Sequence, residues 1–289
     1  MITVVGGTGR LGRLVAARLT ADGQAVRVVG RSAPASPVAG AEFREADVRT
    51  SSTLPGALAG SEVVVSAVHG MDPRAGGSPA AVDRDGNRAL IAAARAVGAR
   101  VVLVSVIGAS PDHPLELFRM KAAAEAALRS GAPGGAPDWT IVRASGFAEM
   151  WLDVFRSTGG RSGVPKVLGA GRNPVNVVSV DDVAVAVARA ATDPALIGSV
   201  IEVAGEDLSL TELAALVTPP GRQPAHLPSA LVSAVSTVLR PVRPGLSRVM
   251  RQTLEMERLP LGADAGPGHQ AHPWLPLTPI THRSPPVRT

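Results

Sequence analysis

The 289-residue chain contains no cysteine and no tyrosine, and only four phenylalanines and three tryptophans. Without cysteine there is no disulfide, no thiolate metal ligand and no cysteine nucleophile, and the redox compartment stays open. The small residue types alanine, valine and leucine must fill the core. Lysine is scarce as well: Lys121 and Lys166 are the only two among 29 basic residues, so the positive charge is almost all arginine. Those arginines are scattered, and hardly any aromatic ring is available to stack on bases, so the net charge of +5 does not predict a nucleic-acid partner. The uncharged run Gln223 to Leu239 holds two prolines and is too short to cross a bilayer. The first apolar run ends in glycines without a basic flank, so no signal peptide is expected and the cytoplasm is the default location. No His, Asp or Glu cluster has metal-ligand spacing, so no metal is expected.

What is present begins at residue 2. Ile2-Thr3-Val4-Val5 is a β-branched run that feeds Gly6-Gly7-Thr8-Gly9-Arg10-Leu11-Gly12 and then an amphipathic helix through Leu19. The glycines satisfy two spacings at once, Gly7-x-Gly9-x-x-Gly12 and Gly6-x-x-Gly9-x-x-Gly12. Such a turn between strand and helix lets main-chain amides approach a pyrophosphate at the helix N-terminus. The competing reading is a tight strand-to-helix turn with no ligand. The second strand, Ala25 to Val29, ends at Gly30-Arg31-Ser32. An arginine in place of the acidic residue that holds a ribose 2′-hydroxyl suits a 2′-phosphate, so NADP is expected over NAD. The alternative for Arg31 is an ordinary surface arginine.

Further strands are expected at Glu42 to Val48, Glu62 to Val68, Arg100 to Ile107 and Asp138 to Val142. Helices are expected between them at Ser51 to Ala59, Ala80 to Val97 and Leu115 to Arg129. This alternation predicts an α/β fold, a Rossmann-type doubly wound parallel sheet with a small C-terminal substrate-binding portion. The domain boundaries expected are 1–155 for the nucleotide-binding part, with elements returning around 175–205, then 156–260 for the smaller portion and 261–289 for a proline-rich tail. Met71 to Pro79 reads as a candidate lid, Gly131 to Pro137 as an insert, and Thr158 to Asn173 as a glycine-rich loop. Asp181-Asp182 should cap a helix from Val183 to Ala191, Ser199 to Val203 is a strand, and Leu208 to Glu212 opens a helix with a capping pattern. Leu227 to Leu239 is an amphipathic helix followed by Arg240, Arg243, Arg248 and Arg251. It is read as packing on its own protein or on a homodimer partner, with peripheral membrane attachment as the rival.

Four segments in this order resemble the atypical short-chain dehydrogenase/reductases, the NmrA-like NAD(P)H-binding group. They are Gly6 to Gly12, Val104-Ser105-Val106-Ile107-Gly108, Phe118-Arg119-Met120-Lys121 with Glu125, and Trp139 to Ala144 running to Phe147. Val180-Asp181-Asp182-Val183-Ala184 adds to the likeness, which covers about residues 1 to 215. The resemblance implies that Gly6, Gly7, Thr8, Gly9, Arg10, Leu11 and Gly12 meet the pyrophosphate of NADP. It further implies that Asp47 and Val48 flank adenine, Ala67 and Val68 line the ribose, Lys121 bonds the nicotinamide ribose, and Gly146 and Phe147 lie near the nicotinamide, with His69 also among the cofactor-binding residues. Arg31 and Ser32 complete the expected cofactor set.

The chain departs from the family pattern in one place. Classical members use Tyr-x-x-x-Lys, but the residue four before Lys121 is Leu117, and no tyrosine exists to replace it. Three sources remain for the proton: Lys121 itself, a water or substrate group, or no turnover at all. The competing reading of Lys121 is a solvated helix residue paired with Glu125. Ser105, at the end of its strand, is the second catalytic candidate, with a local backbone bond as its alternative. His69 and His113 could relay protons at the same edge, and Met150, Trp151 and Phe155 suit a pocket wall or a core. The expected activity is hydride transfer from NADPH to a small carbonyl, enone or quinone-like acceptor. The alternative is a non-catalytic NADP-sensing regulator that binds a protein partner.

Overall fold

The structure, a computed structural model, describes residues 1–71, 78–131, 138–259 and 261–280. Most of the expected lid and insert therefore lies outside the described residues. The β-branched stretch Ile2–Val5 forms β1, the helix Arg10–Ala21 is α1, and Val26–Gly30 forms β2. Then follow Glu42–Glu45 (β3), Leu54–Leu58 (α2), Val63–Ser66 (β4), Asn87–Ala96 (α3), Arg100–Val106 (β5), Glu116–Arg129 (α4) and Trp139–Ala144 (β6). After these come Gly146–Phe147 (β7), Ala148–Thr158 (α5), Lys166–Leu168 (β8), Pro174–Val178 (β9), Val180–Thr192 (α6) and Val200–Val203 (β10). Glu206–Ser209 (β11), Leu210–Ala215 (α7), Ala225–Leu227 (β12), Ser229–Leu239 (α8), Pro244–Met256 (α9) and Gly266–Ala271 (α10) complete the order.

Two units emerge. The first is Met1–Ala144 with Val180–Val203 and Gly268–Pro276; the second is Ser145–Ser179 with Ala204–Pro267 and the stretch from Leu277. In the first unit seven parallel strands run in the order β10-β6-β5-β4-β1-β2-β3. Helices α1 and α6 pack together over one face, while α2, α3 and α4 pack in succession over the other. Burial of every residue in β1, β2 and β4 follows from that two-sided cover. The strand order reverses at β1, whose neighbours are β2 on one side and β4 on the other. A crevice at the carboxyl ends of β1 and β4 is where open α/β sheets bind ligands.

The second unit holds a three-stranded sheet, β11-β9-β7, and a two-stranded one, β12-β8. Its core gathers Ala148, Phe155, Val167, Val175, Val177 and Leu213. The expected loop from Thr158 to Asn173 thus contains β8, whose Val167 is fully buried. A three-residue strand is too short to show a period. Asp181 and Asp182 lie inside the first turn of α6 rather than before it, because the helix starts at Val180; there they face the positive end of its dipole. Ser209 with Glu212 does form a capping box on α7, but β11 precedes it where only a helix start was expected. Residues 80–97 are not one α-helix: Ala80–Gly86 winds as a wide π turn before α3 begins.

One polar network ties the first unit together. Glu125 of α4 is 1% exposed. Its Oε1 accepts from Ser105 Oγ at 2.6 Å and from Arg143 Nε at 3.0 Å, and its Oε2 accepts from Arg143 at 2.7 Å. Arg129 adds an ion pair at 3.1 Å, and Arg143 reaches on to Glu202 at 3.3 Å. Burial pushes the Glu125 carboxyl up, but the hydrogen bonds from Arg143 and Ser105 and the neighbouring charges outweigh it, holding it below the usual carboxylate range.

A carboxylate held low stabilises the fold above its unfolded pKa, and that contribution is lost as pH falls through the carboxylate range. Arg143→Met removes the main partner of a buried charge and should cost about 3–5 kcal/mol at neutral pH. The melting-temperature gap from wild type should close as pH drops below about 4. A gap of undiminished size at pH 3 would show that Glu125 is not its source.

Candidate functional site

The crevice is built from the first turn outward. Gly6 has φ +81°, and a Cβ there would lie 2.7 Å from the carbonyl oxygen of Ala67, just past β4. At Gly7 a Cβ would meet Val28 and the Val4 carbonyl, both at 2.8 Å, and at Gly12 it would overlap the Gly6 carbonyl. These three glycines are demanded by the chain's own packing. Gly9 is different. A Cβ there would find only the Gly6 oxygen, at 3.2 Å, within 4 Å among the described residues. The space over Gly9 is open, on the side where α1 begins. The N-cap of α1 is Gly9, which has no side chain to offer the first turn, and no acidic residue lies in that turn. The helix therefore turns the partial positive charge of its N-terminus toward the sheet's switch point.

Around this turn the expected residues fall into two groups. Gly9, Arg10, Arg31, Ser32 and His69 are exposed, while Thr8, Asp47, Ala67 and Val68 are partly exposed. Thr8 abuts Gly30 at the end of β2, where a Cβ would come within 2.6 Å of its methyl group. Leu11 is 6% exposed and Val48 8%, so their side chains belong to the core, Val48 lying against Gly86 of the π turn. The adenine-flanking role implied for Val48 is met by a core side chain instead. Asp47 is tied to Arg49, whose Nε and a terminal nitrogen reach its carboxylate at 3.0 and 2.6 Å. That bond, aided by the charge of Arg31, keeps the Asp47 carboxyl below its ordinary range. Arg49 thus joins Arg31 as a second cation at this corner, a residue the motif reading passed over.

Lys121 is neither solvated nor paired with Glu125. It is 4% exposed, and its Nζ donates to the carbonyl of Val68 at 3.0 Å and of Val104 at 2.9 Å, with the carboxylate of Asp83 at 3.0 Å. Asp83 is fully buried in the π turn, and its other oxygen accepts from the amide of Gly70 at 2.8 Å. Asn87 completes the set: it donates to the Asp83 carbonyl at 2.8 Å and accepts from Ser66 Oγ at 2.6 Å. The signal for Asp83 and Asn87 was available as two polar residues four apart on an alanine-rich helix.

Ser105 corrects another expectation. It is 2% exposed and donates to Glu125, so it contacts neither open crevice nor local backbone. His113 stacks on Phe118 with ring centres 4.1 Å apart, and its Nδ1 accepts from the Leu115 amide at 3.1 Å. Burial holds its pKa below the usual histidine value, so the ring serves as a neutral acceptor at the start of α4. Phe155 is 3% exposed in the second unit's core, with Trp151 packed beside it, whereas Met150 is 44% exposed. Gly146 and Phe147 form β7, paired with β9 in the second unit. A cleft of 640 Å³ in that unit is lined by Gly169, Arg172, Thr211, Glu212 and His226 among others. Of its polar groups, Glu212 is engaged in the capping box and His226 with the Gly169 carbonyl. Among the described residues no group of His, Asp and Glu gathers to hold a metal, and no helix is long and apolar enough to cross a membrane.

Similar proteins bear on the fold and the family of this chain. The ceramide reductase of Caulobacter vibrioides is 32% identical over 136 residues, which is 46% of this chain and 43% of that protein, so less than half of the relative's length is matched. The crystal structure of triphenylmethane reductase from Citrobacter sp., complexed with NADP(H), superposes with a TM-score of 0.74 at 21% identity and covers 97% of each chain. An NADPH-dependent quinone oxidoreductase from Escherichia coli, complexed with NADPH, gives a TM-score of 0.72 at 24% identity over 93% of this chain and 94% of its own. At such identities the likeness establishes the shared Rossmann-type fold. A family model described as NAD(P)H-binding matches residues 6–194, and the chain belongs to the NAD(P)H-binding family.

Proposed function

We propose that this protein is an NADPH-dependent reductase that delivers hydride to a small quinone, enone or carbonyl acceptor without a tyrosine acid. The observation that carries the reading is the open space over Gly9, the glycine N-cap at the positive end of α1. The chain's own packing leaves that glycine unexplained, and the close approach of a diphosphate to the first-turn amides of α1 explains it. Arg31 and Arg49 form the cationic corner for a 2′-phosphate. When bound, the nicotinamide supplies the hydride. Lys121, held by Val68, Val104 and Asp83, would fix the carboxyl ends of β4 and β5 that line the crevice. With Lys121 hydrogen-bonded to two backbone carbonyls and ion-paired with Asp83, and with Ser105 turned to Glu125, the proton falls to water or to a substrate group. Three reductases with different named acceptors among the similar proteins support a reductase and leave the acceptor open.

The engagement of both proton-donor candidates favours one other reading, an NADP-binding regulator without turnover. Screening quinones, enones and ketones for NADPH oxidation separates the two, and tight binding with no oxidation would favour the regulator. Lys121→Ala is a poor probe, since it strands the buried Asp83 carboxylate; Asp83→Asn/Lys121→Met removes both charges together.

Two outcomes follow for binding. Gly9→Ala should melt like wild type yet bind NADPH at least about tenfold more weakly, whereas Gly12→Ala should lose stability first. Unchanged NADPH affinity in Gly9→Ala would end the diphosphate reading. Arg31→Ala and Arg49→Ala should each lower NADPH affinity about tenfold and leave NADH affinity alone. Parallel losses for both nucleotides, measured by fluorescence titration, would refute the 2′-phosphate corner.

A further inference from the structure

Helices α8 and α9 pair as a hairpin in the second unit. On α8 only Val232 and Ser236 are buried, and the rest of its apolar surface faces outward. Leu231 is 52% exposed and Val235 38%; at the turn between the helices Val238 reaches 73% and Val242 77%, with Leu246 at 39% on α9. Exposure of apolar side chains thus peaks at the tip of the hairpin. Monomeric proteins rarely leave such a contiguous patch without a use. Its charge is one-sided: from residue 213 to residue 254 the chain has no Asp or Glu, while Arg222, Arg240, Arg243, Arg248 and Arg251 are all present. Arg240 and Arg243 flank Val242 at the tip, and both are exposed.

We propose that the tip of the α8–α9 hairpin docks on an anionic lipid bilayer, inserting Val238 and Val242 while Arg240 and Arg243 meet the headgroups. An aliphatic wedge with arginines at its rim is the side-chain distribution of an interfacial helix. A second copy of the chain is a poorer occupant, because a two-fold contact would set this arginine-rich face against itself. The chain's own last residues, 281–289, are poorer still, since they carry Arg283 and Arg288 and no acid. The proposal is independent of the acceptor and of turnover, because its readout is adsorption to lipid.

The test is co-sedimentation of the full chain with sucrose-loaded vesicles of phosphatidylcholine alone or with 30% phosphatidylglycerol. The protein should pellet with the anionic vesicles, fall off as salt rises, and stay in solution with phosphatidylcholine. Val238→Asp/Val242→Asp should abolish pelleting, and Arg240→Gln/Arg243→Gln should weaken it roughly fivefold per arginine. Both variants alter exposed positions, and an unchanged melting temperature confirms that they fold. The proposal is overturned by absence of pelleting with anionic vesicles, or by pelleting that survives Val238→Asp/Val242→Asp. It is also overturned if sedimentation velocity shows a dimer that the same double variant dissociates, since the patch would then serve a second copy.

Discussion

An ammonium taken out of water is tolerable only when it is paired with an opposite charge and hydrogen-bonded. The chain holds Lys121 with hydrogen bonds to the carbonyls of Val68 and Val104 and an ion pair with the carboxylate of Asp83, and each partner comes from a different element. Val68 lies past β4, Val104 is in β5, and Asp83 is on the π turn before α3. One buried charge therefore holds together the carboxyl ends of two strands and the segment that covers them. The glycine turn leans on the same place. Gly6 sits against Ala67, one residue before the carbonyl that Lys121 fixes, so the geometry of the opening turn depends on a residue more than a hundred positions away.

That dependence explains why the π turn is there. Asp83 must aim one oxygen at Lys121 and the other at the Gly70 amide while Asn87 reaches Ser66. A regular α-helix turns each residue by a fixed angle, and one extra residue in the turn re-aims the side chains. Gly86 permits the result, because a side chain there would strike Val48. The misfit with a simple helical period is therefore the mark of a polar requirement, satisfied at some expense in helix regularity.

How much of this was legible depends on the range of the interaction involved. The parallel sheet and its order of elements could be read because β-branched runs and glycine turns are local signals, and β1, β2, β4 and β5 appear within one or two residues of their expected bounds. Gly6, Gly7 and Gly12 were legible for the same reason. The partners of Lys121 and Ser105 were not, since Asp83 and Glu125 meet them through tertiary packing. A lysine four residues before a glutamate invites an i,i+4 pair, but Glu125 turns instead to Arg143 and Ser105, where a buried carboxylate finds more donors. In the second unit the strands are two to five residues long and take their burial from partners far along the chain, as Val167 of β8 does from β12. No window of sequence contains that information.

The missing phenol narrows the chemistry on the proposed reading. Hydride addition to a simple ketone leaves an alkoxide, far too basic to form without an acid in the same step. Addition to a quinone or enone leaves the electron pair spread onto an oxygen that water can protonate afterwards. An enzyme whose lysine is hydrogen-bonded to two carbonyls and ion-paired with a buried carboxylate, and whose serine is committed to another carboxylate, can supply position and dryness but no ready proton. Acceptors should therefore rank by the stability of their reduced anion, with quinones ahead of enones and enones ahead of ketones. Such a ranking would follow from what the chain lacks as much as from what it holds.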